Sequence, residues 1–315
     1  MVRLPPTPAL AGVLFCAVLL AAGCATPQLA ALPAQLPATT PARSELAAVP
    51  FYPQADFQCG PAALATTLVN AGVATSPEAL VPQVFLPARE GSLQVEMLAA
   101  ARRHGLTAYR LEPRLADLLQ EVAAGTPVIV LQNLAFGVAP LWHYAVVVGY
   151  DLPREEILLR SGTTRRLVMQ LATFERTWAR GEHWAMVTLP PERLPVTVTE
   201  DRYVVSVVAL ERVAPDAARR AYQTALERWP DNLPARIGQG NAAYALRDLA
   251  GAEAAYREAT RRHPGAADAW NNLAQALLDL RRRDEALAAA RRAVGIGGPR
   301  LAQYQATLQA IAESR

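Results

Sequence analysis

One cysteine and one histidine are placed where they could together carry out acyl-transfer chemistry. Cys59 stands directly before Gly60-Pro61, at the start of a helical pattern. A helix N-terminus carries a partial positive charge, so the sequence predicts a lowered pKa for this thiol. His143 opens the run HYAVVVGYD, which is typical of a central strand. A thiolate at a helix start and an imidazole at a strand start would supply the nucleophile and the general base of amide hydrolysis.

Gln54 and the other three histidines are the remaining candidates for this site. The side-chain amide of Gln54, five residues before Cys59, can join the Cys59 backbone N–H as an oxyanion donor. His104 and His263 are expected on the surface, whereas His183 stays open as a second candidate base. Four histidines and one free cysteine offer no ligand cluster, so we expect neither a metal nor an organic cofactor. The chain has no lysine, which excludes Schiff-base and Walker-type phosphate chemistry.

The elements that must position these residues follow from the apolar pattern. After Cys59, Leu64 with Leu68 and Val69 supplies an inward face at helical spacing, and Gly72 can end that helix. The run TPVIVLQNL, which precedes His143, predicts a second buried strand. The chain order is therefore a helix with the thiol at its tip, followed by strands that present the imidazole.

These segments resemble the bacterial papain-fold peptidases of the bacteriocin-leader-processing (double-glycine) class, and more closely their lipoprotein relatives with tetratricopeptide repeats. The resemblance rests on PQADFQCGPAALATTL, PVIVLQNL and WHYAVVVGYD and covers residues 47–190. It implies an α+β papain-like cysteine peptidase domain with Cys59 as nucleophile, His143 as general base and Gln54 as oxyanion donor. In the leader peptidases this glutamine usually stands six residues before the cysteine, whereas here it stands five before.

The residue that orients the imidazole departs from that family pattern. The relatives place an Asp, usually followed by Pro, at the end of the strand after the histidine strand. A hairpin turn over residues 150–155 pairs His143 with position 162, and Arg160-Ser161-Gly162 stands there. Asp151 would lie ~26 Å away at the far end of the strand. We therefore expect Ser161 to orient His143, although a hydroxyl stabilises imidazolium less than a carboxylate does.

The N-terminal segment predicts export. An apolar run of ~14 residues over 9–22 is too short to cross a membrane and precedes Cys24. Residues 1–23 resemble a bacterial lipoprotein signal, which implies cleavage before Cys24, acylation of that cysteine and sorting to the outer membrane. Ordinary cleavage without lipid stays open. Because Cys16 leaves with the signal and Cys24 is acylated, Cys59 is the one free thiol expected in the mature protein. Residues 24–46, which contain four prolines, predict an extended tether.

The C-terminal third repeats with a period of 34 residues. Small residues recur at matched positions, as do Tyr222 with Tyr256 and Pro230 with Pro264; the small residues are Ala218, Ala252, Ala286, Ala225, Ala259 and Ala293. This is the pattern of the tetratricopeptide repeat. Three units over 199–232, 233–266 and 267–300, with a closing helix to residue 315, predict an all-α solenoid that binds a protein partner.

The expected whole is an envelope-anchored cysteine peptidase with a repeat domain for partner or substrate binding. A formal charge of +3 with 31 arginines against 28 acidic residues gives no concentrated basic face for nucleic acid. The expected partners are a peptide or protein substrate, a protein at the repeats and a membrane through the N-terminal lipid. Two other functions remain open. One is a catalytically weak or inactive peptide-binding lipoprotein module, and the other is a cell-wall peptidase.

Overall fold

The computed structural model describes residues 26–54, 58–135 and 138–314. The chain divides into two compact units, one of Met1–Thr67 with Leu111–Met186 and the other of Leu68–Arg110 with Val187–Arg315. This division differs from the domain boundaries expected at residues 190 and 199. The predicted signal and the lipidation site at Cys24 lie outside the described residues. Within the described ranges, no helix is both long and apolar enough to cross a membrane.

The first unit is built on an antiparallel sheet. Its strands are β1 (Arg43–Glu45), β5 (Val128–Asn133), β6 (Trp142–Asp151), β7 (Glu156–Ser161), β8 (Thr164–Gln170) and β9 (Ala185–Leu189). Strand β6 pairs with β5 on one side and with β7 on the other, and β8 pairs with β7. Strand β9 pairs with β5, and β1 pairs with the end of β6. Every residue of β5 is buried, as its continuous apolar run predicts.

The helices of this unit pack their apolar residues inward. They are α1 (Pro27–Gln35), α2 (Cys59–Asn70), α5 (Leu115–Ala123) and α6 (Leu171–Ala179). Leu64 and Leu68 of α2 are fully buried, as expected. The helix ends before Gly72, whose φ of +91° lies in the left-handed region that favours glycine.

The extended tether expected over residues 24–46 is wrong for residues 27–35. Residues Pro27–Gln35 form α1, and both carboxylate oxygens of Glu175 accept hydrogen bonds from its first backbone N–H groups, those of Gln28 and Leu29. The side chain of Gln28 also donates to the Pro113 carbonyl. Pro27 suits the first turn of this helix, and a buried carboxylate caps it. Pro33 lies inside the helix without ending it.

The second unit combines a small helix-and-strand region with the repeat helices. The former contains α3 (Pro77–Val84), β2 (Phe85–Leu86), β3 (Gly91–Ser92), α4 (Gln94–Arg103) and β4 (Thr107–Arg110). Within this unit, Thr107 Oγ1 of β4 donates to the Leu189 carbonyl at 3.0 Å.

The repeat helices follow the predicted period. They are α7 (Glu200–Glu211), α8 (Pro215–Arg228), α9 (Leu233–Ala245), α10 (Leu249–Arg262), α11 (Ala267–Asp279), α12 (Arg283–Ile296) and α13 (Leu301–Glu313). The alanines that recur every 34 residues are buried. Gly240 lies against the ring of Tyr256, where a Cβ atom would overlap the ring. Small residues at these positions therefore let successive helices approach closely.

Candidate active site

Cys59 is the first residue of α2, and the Ala62 N–H donates to the Gln58 carbonyl to close the first turn. The thiol is half-buried and free. The backbone N–H groups of Tyr144 and Gly60 act on the sulfur and lower its pKa, but burial has the larger effect and raises the pKa above its ordinary value. The lowered pKa predicted from the helix start is therefore wrong for the resting protein, because the same packing that brings the sulfur to β6 removes it from water.

His143 lies in the second position of β6, next to the residue whose N–H reaches the Cys59 sulfur. Its Nε2 atom is 2.8 Å from Ser161 Oγ. When Nε2 carries the proton, it donates to the hydroxyl and leaves Nδ1 free to act as a base. Burial lowers the pKa of His143, so its neutral form is favoured.

The hairpin of β6 and β7 brings Ser161 to this position. Val146 pairs with Arg160, and a register shift between Val147 and Gly149 adjusts the alignment of the strands. Ser161 is the last residue of β7, where the strand turns toward β8. The hydroxyl therefore reaches the imidazole at the place where the relatives' aspartate was expected, and its orienting role stays a prediction.

Gln54 lies beside the same turn. Its Oε1 accepts from the Gly162 N–H, and its own backbone N–H donates to the Gly162 carbonyl, both at 3.1 Å. These two bonds fix the side-chain oxygen and leave the Nε2 hydrogens as the donors available to a substrate. Residues 55–57, which join Gln54 to Gln58, lie outside the described residues, and the role as oxyanion donor stays a prediction.

Two residues that support the site were not predicted. The guanidinium of Arg160 is 4% exposed and donates to the carbonyls of Ala47, Val49 and Arg165, so it fastens the segment before Gln54 to β7 and β8. Asn133 Oδ1 accepts from the N–H groups of Ala135 and Leu141, which closes the loop before His143. An Asn at the end of a strand is a signal for such a turn, whereas nothing in the sequence marks Arg160 as buried.

The other histidines lie elsewhere. His183 packs edge-on against Trp178, with ring centroids 4.8 Å apart. His104 Nε2 lies 3.4 Å from the Gln83 amide nitrogen. In the part of the chain that the structure describes, no group of three or more His, Cys, Asp or Glu side chains is arranged to hold a metal ion. The general base proposed for Cys59 is therefore His143.

Comparison with protein families assigns both regions. Residues 46–182 match the model of the Peptidase_C39 like family, and residues 208–260 and 237–300 match that of the tetratricopeptide repeat. The chain thus combines an α+β region that resembles the C39 peptidases with a following run of helices that matches the tetratricopeptide repeat. No curated protein matches it.

Several solved structures are similar to parts of the chain. A candidate C39-like peptidase from Bacillus anthracis is 18% identical, with a TM-score of 0.39, covering 47% of this chain and 97% of its own. The TPR2B domain of yeast Sti1 in a pHsp70 complex is 16% identical, with a TM-score of 0.34, and covers 37% and 95%. The first TPR of Spaghetti (RPAP3), bound to an HSP90 peptide, is 17% identical, with a TM-score of 0.33, and covers 38% and 96%.

Proposed function

We propose that this protein is a cysteine peptidase that cleaves a peptide or amide bond through Cys59 and His143. The observation that carries the proposal is the 2.8 Å contact of His143 with Ser161, next to the backbone N–H that holds the Cys59 sulfur. The match of the surrounding residues to the Peptidase_C39 like family supports it.

The pKa directions favour a neutral resting pair, with the proton on sulfur. His143 Nδ1 takes this proton as Cys59 Sγ forms a bond to the substrate carbonyl carbon. The Gln54 amide and the Cys59 backbone N–H donate to the resulting oxyanion. As the C–N bond breaks, Nδ1 returns the proton to the leaving amine. A water molecule then gives a proton to His143 and forms a bond to the acyl carbon. The C–S bond breaks, His143 returns the proton to the sulfur, and the acid leaves with the thiol restored.

Apolar side chains beside His143 favour a polypeptide substrate with apolar residues near the cleaved bond. Leu141 and Trp142, directly before His143, are 59% and 51% exposed, and Val138 is 97% exposed. Large apolar residues concentrated on a surface mark a site of interaction. Trp142→Ala should therefore raise KM more than it lowers kcat, whereas Val168→Ala, which removes an exposed apolar residue of β8, should change neither.

The signal predicted from the N-terminal sequence supports a location in the cell envelope for this activity. In this proposal, a lipid on Cys24 anchors the protein to the outer membrane, where it faces the periplasm. Its repeats bind a protein partner or the substrate. Its substrates would then be envelope or secreted proteins. A cell-wall peptidase is the less favoured alternative, and it predicts release of stem peptides from purified peptidoglycan.

The decisive experiment compares the envelope and extracellular proteomes of wild type and Cys59→Ala by N-terminal peptide mapping. We expect specific new termini that need Cys59, and the same loss with His143→Ala. The exposed Val168→Ala variant serves as the matched control and should retain the termini. An unchanged set of termini in the Cys59→Ala strain, with the wild-type protein abundant, would overturn the proposal.

A peptide-binding module without turnover is the second candidate, and two observations favour it. Ser161 stands where the relatives have a carboxylate, and burial raises the pKa of the Cys59 thiol. Under this alternative, Ser161→Asp leaves an inactive protein inactive, whereas a weak enzyme gains turnover.

A further inference from the structure

A cavity of about 360 Å³ lies in the second unit, among helix α4, strand β4 and helix α7. It contains none of the proposed catalytic residues. Cavities from about 300 Å³ upward are large enough to hold small molecules. Its size therefore suits one small ligand.

Aliphatic and charged side chains together line the cavity. Leu98, Ala108 and Val205 supply aliphatic surface, and three arginines and one aspartate line the same space; these are Arg102, Arg110, Arg202 and Asp201. A ligand that complements this lining has an apolar body and an acidic group.

Arg102 supplies a buried donor at this cavity. Its Nε–H is buried and has no acceptor among the described residues, and burial alone lowers its pKa. Arginines of the repeats, in contrast, form ion pairs, as Arg262 does with Glu258 and Arg282 with Glu285. A buried donor without an acceptor is costly, and an acidic group in the cavity would satisfy it.

Two hydrogen bonds join helix α7 to strand β4, both of which line the cavity. Arg202 donates to the Arg110 carbonyl at 3.1 Å, and the Thr199 N–H, directly before α7, donates to the Tyr109 hydroxyl at 3.3 Å. These bonds join the start of α7 to β4, so the two sides of the cavity are fixed before a ligand arrives. Such preorganisation reduces the cost of binding.

We propose that this cavity binds a single-chain amphiphile with an acidic head group, with the head on Arg102 and the chain on Leu98, Ala108 and Val205. The head group can be the carboxylate of a fatty acid or the phosphate of a lipid, because both accept hydrogen bonds from guanidinium groups. The inference is independent of catalysis, so Cys59→Ala should bind the same ligand equally well.

The test is calorimetric titration of residues 25–315, exported with a non-lipid signal, with decanoate, decyl phosphate and decanol below their aggregation concentrations. We expect both acids to bind and the neutral alcohol to bind at least tenfold more weakly. Tighter binding of decanoate would identify a fatty acid, and tighter binding of decyl phosphate a lipid phosphate. Arg102→Gln should weaken acid binding at least tenfold, Arg102→Lys less, and the surface variant Arg282→Gln not at all.

Thermal unfolding shows whether each variant is folded. Should Arg102→Gln fail to fold, the exposed Val205→Asp variant places a negative charge at the cavity and should weaken both acids by a similar factor. The proposal is overturned when decanol binds as well as the acids, when neither variant weakens binding, or when neither acid binds. A peptide with a C-terminal leucine is titrated in the same way. The proposal is also overturned if this peptide binds and neither decanoate nor decyl phosphate does.

Discussion

At the residue scale, the pair of His143 and Ser161 determines how the site responds to pH. Burial lowers the pKa of His143 below its ordinary value of 6.5, and a general base must be unprotonated to act. The acidic limb of kcat/KM should therefore lie below pH 6.5. The raised pKa of Cys59 does not oppose this, because the thiol gives up its proton only as it attacks.

Ser161→Asp should move that acidic limb upward. An ionised carboxylate beside Nε2 stabilises the imidazolium, which raises the pKa of His143. Activity should fall at pH 5 and rise at pH 8, where the base stays neutral and is better oriented. A kcat/KM profile from pH 4 to 9 measures both effects.

Ser161→Asn provides the matched control for this prediction. It has nearly the size of Asp without the charge, so it should leave the acidic limb in place. An equal shift of the limb in both variants would show that the change in shape, and not the electrostatic contact with His143, had altered the profile.

Arg160 should support the site through the backbone that it holds. Arg160→Met removes hydrogen bonds to the carbonyls of Ala47, Val49 and Arg165 and leaves those groups without a donor. Since bonds to charged groups contribute about 1.5–3 kcal/mol each, and the change removes bonds to three carbonyls, we expect a loss of at least about 4 kcal/mol in the free energy of unfolding. Denaturant unfolding measures this loss of stability. We also expect kcat to fall, because the segment that carries Gln54 is less firmly positioned.

Arg165→Met is the comparison for that variant, because its side chain is exposed and only its carbonyl takes part. It should change stability by less than about 0.5 kcal/mol. An equal loss in both variants would argue against a specific role for the buried guanidinium of Arg160.

At the scale of elements, the sequence predicted the helices and strands that have a clear local periodicity. The 34-residue spacing predicted the repeat helices, and the β-branched run predicted β6 with His143 at its start. Prediction from the sequence failed for features that depend on residues distant in the chain. Helix α1 depends on Glu175, almost 150 residues away, and the pKa of Cys59 depends on burial against β6. Neither contact leaves a mark in the local pattern, so the tether and the lowered pKa were wrong.

Gly240→Ala tests the close approach of the repeat helices. Its Cβ would overlap the ring of Tyr256, which is 3% exposed and cannot move into solvent. Overpacking of this kind costs about 1–3 kcal/mol, and thermal unfolding should show a lower Tm. Gly295→Ala in α12 is the matched control, since a Cβ there meets nothing within 4 Å. Because alanine favours a helix more than glycine does, that variant should be stabilised by up to about 1 kcal/mol, and a decrease in both would contradict the packing argument.

At the scale of the molecule, the first repeat helix belongs to the same compact unit as the helix-and-strand region that precedes it in the chain. Helix α7 belongs to the same unit as α4 and β4, and it buries Tyr203, Val204, Val207 and Leu210. This compact unit therefore continues across residue 199, where the sequence predicted a domain boundary. A chain that ends at Val198 would expose apolar surface of β4 and lose the bond from the Thr199 N–H to Tyr109.

We therefore expect that ending the chain at Val198 destabilises the second unit, whereas ending it at Asn232 does not. The longer chain keeps α7 and α8, and with them the contacts on β4. Hydrogen exchange of residues 106–110 should accelerate at least tenfold in the shorter chain and stay near the full-length rate in the longer one. Equal protection in all three chains would mean that β4 is stable without α7, and the boundary predicted from the sequence would then describe the folding units better.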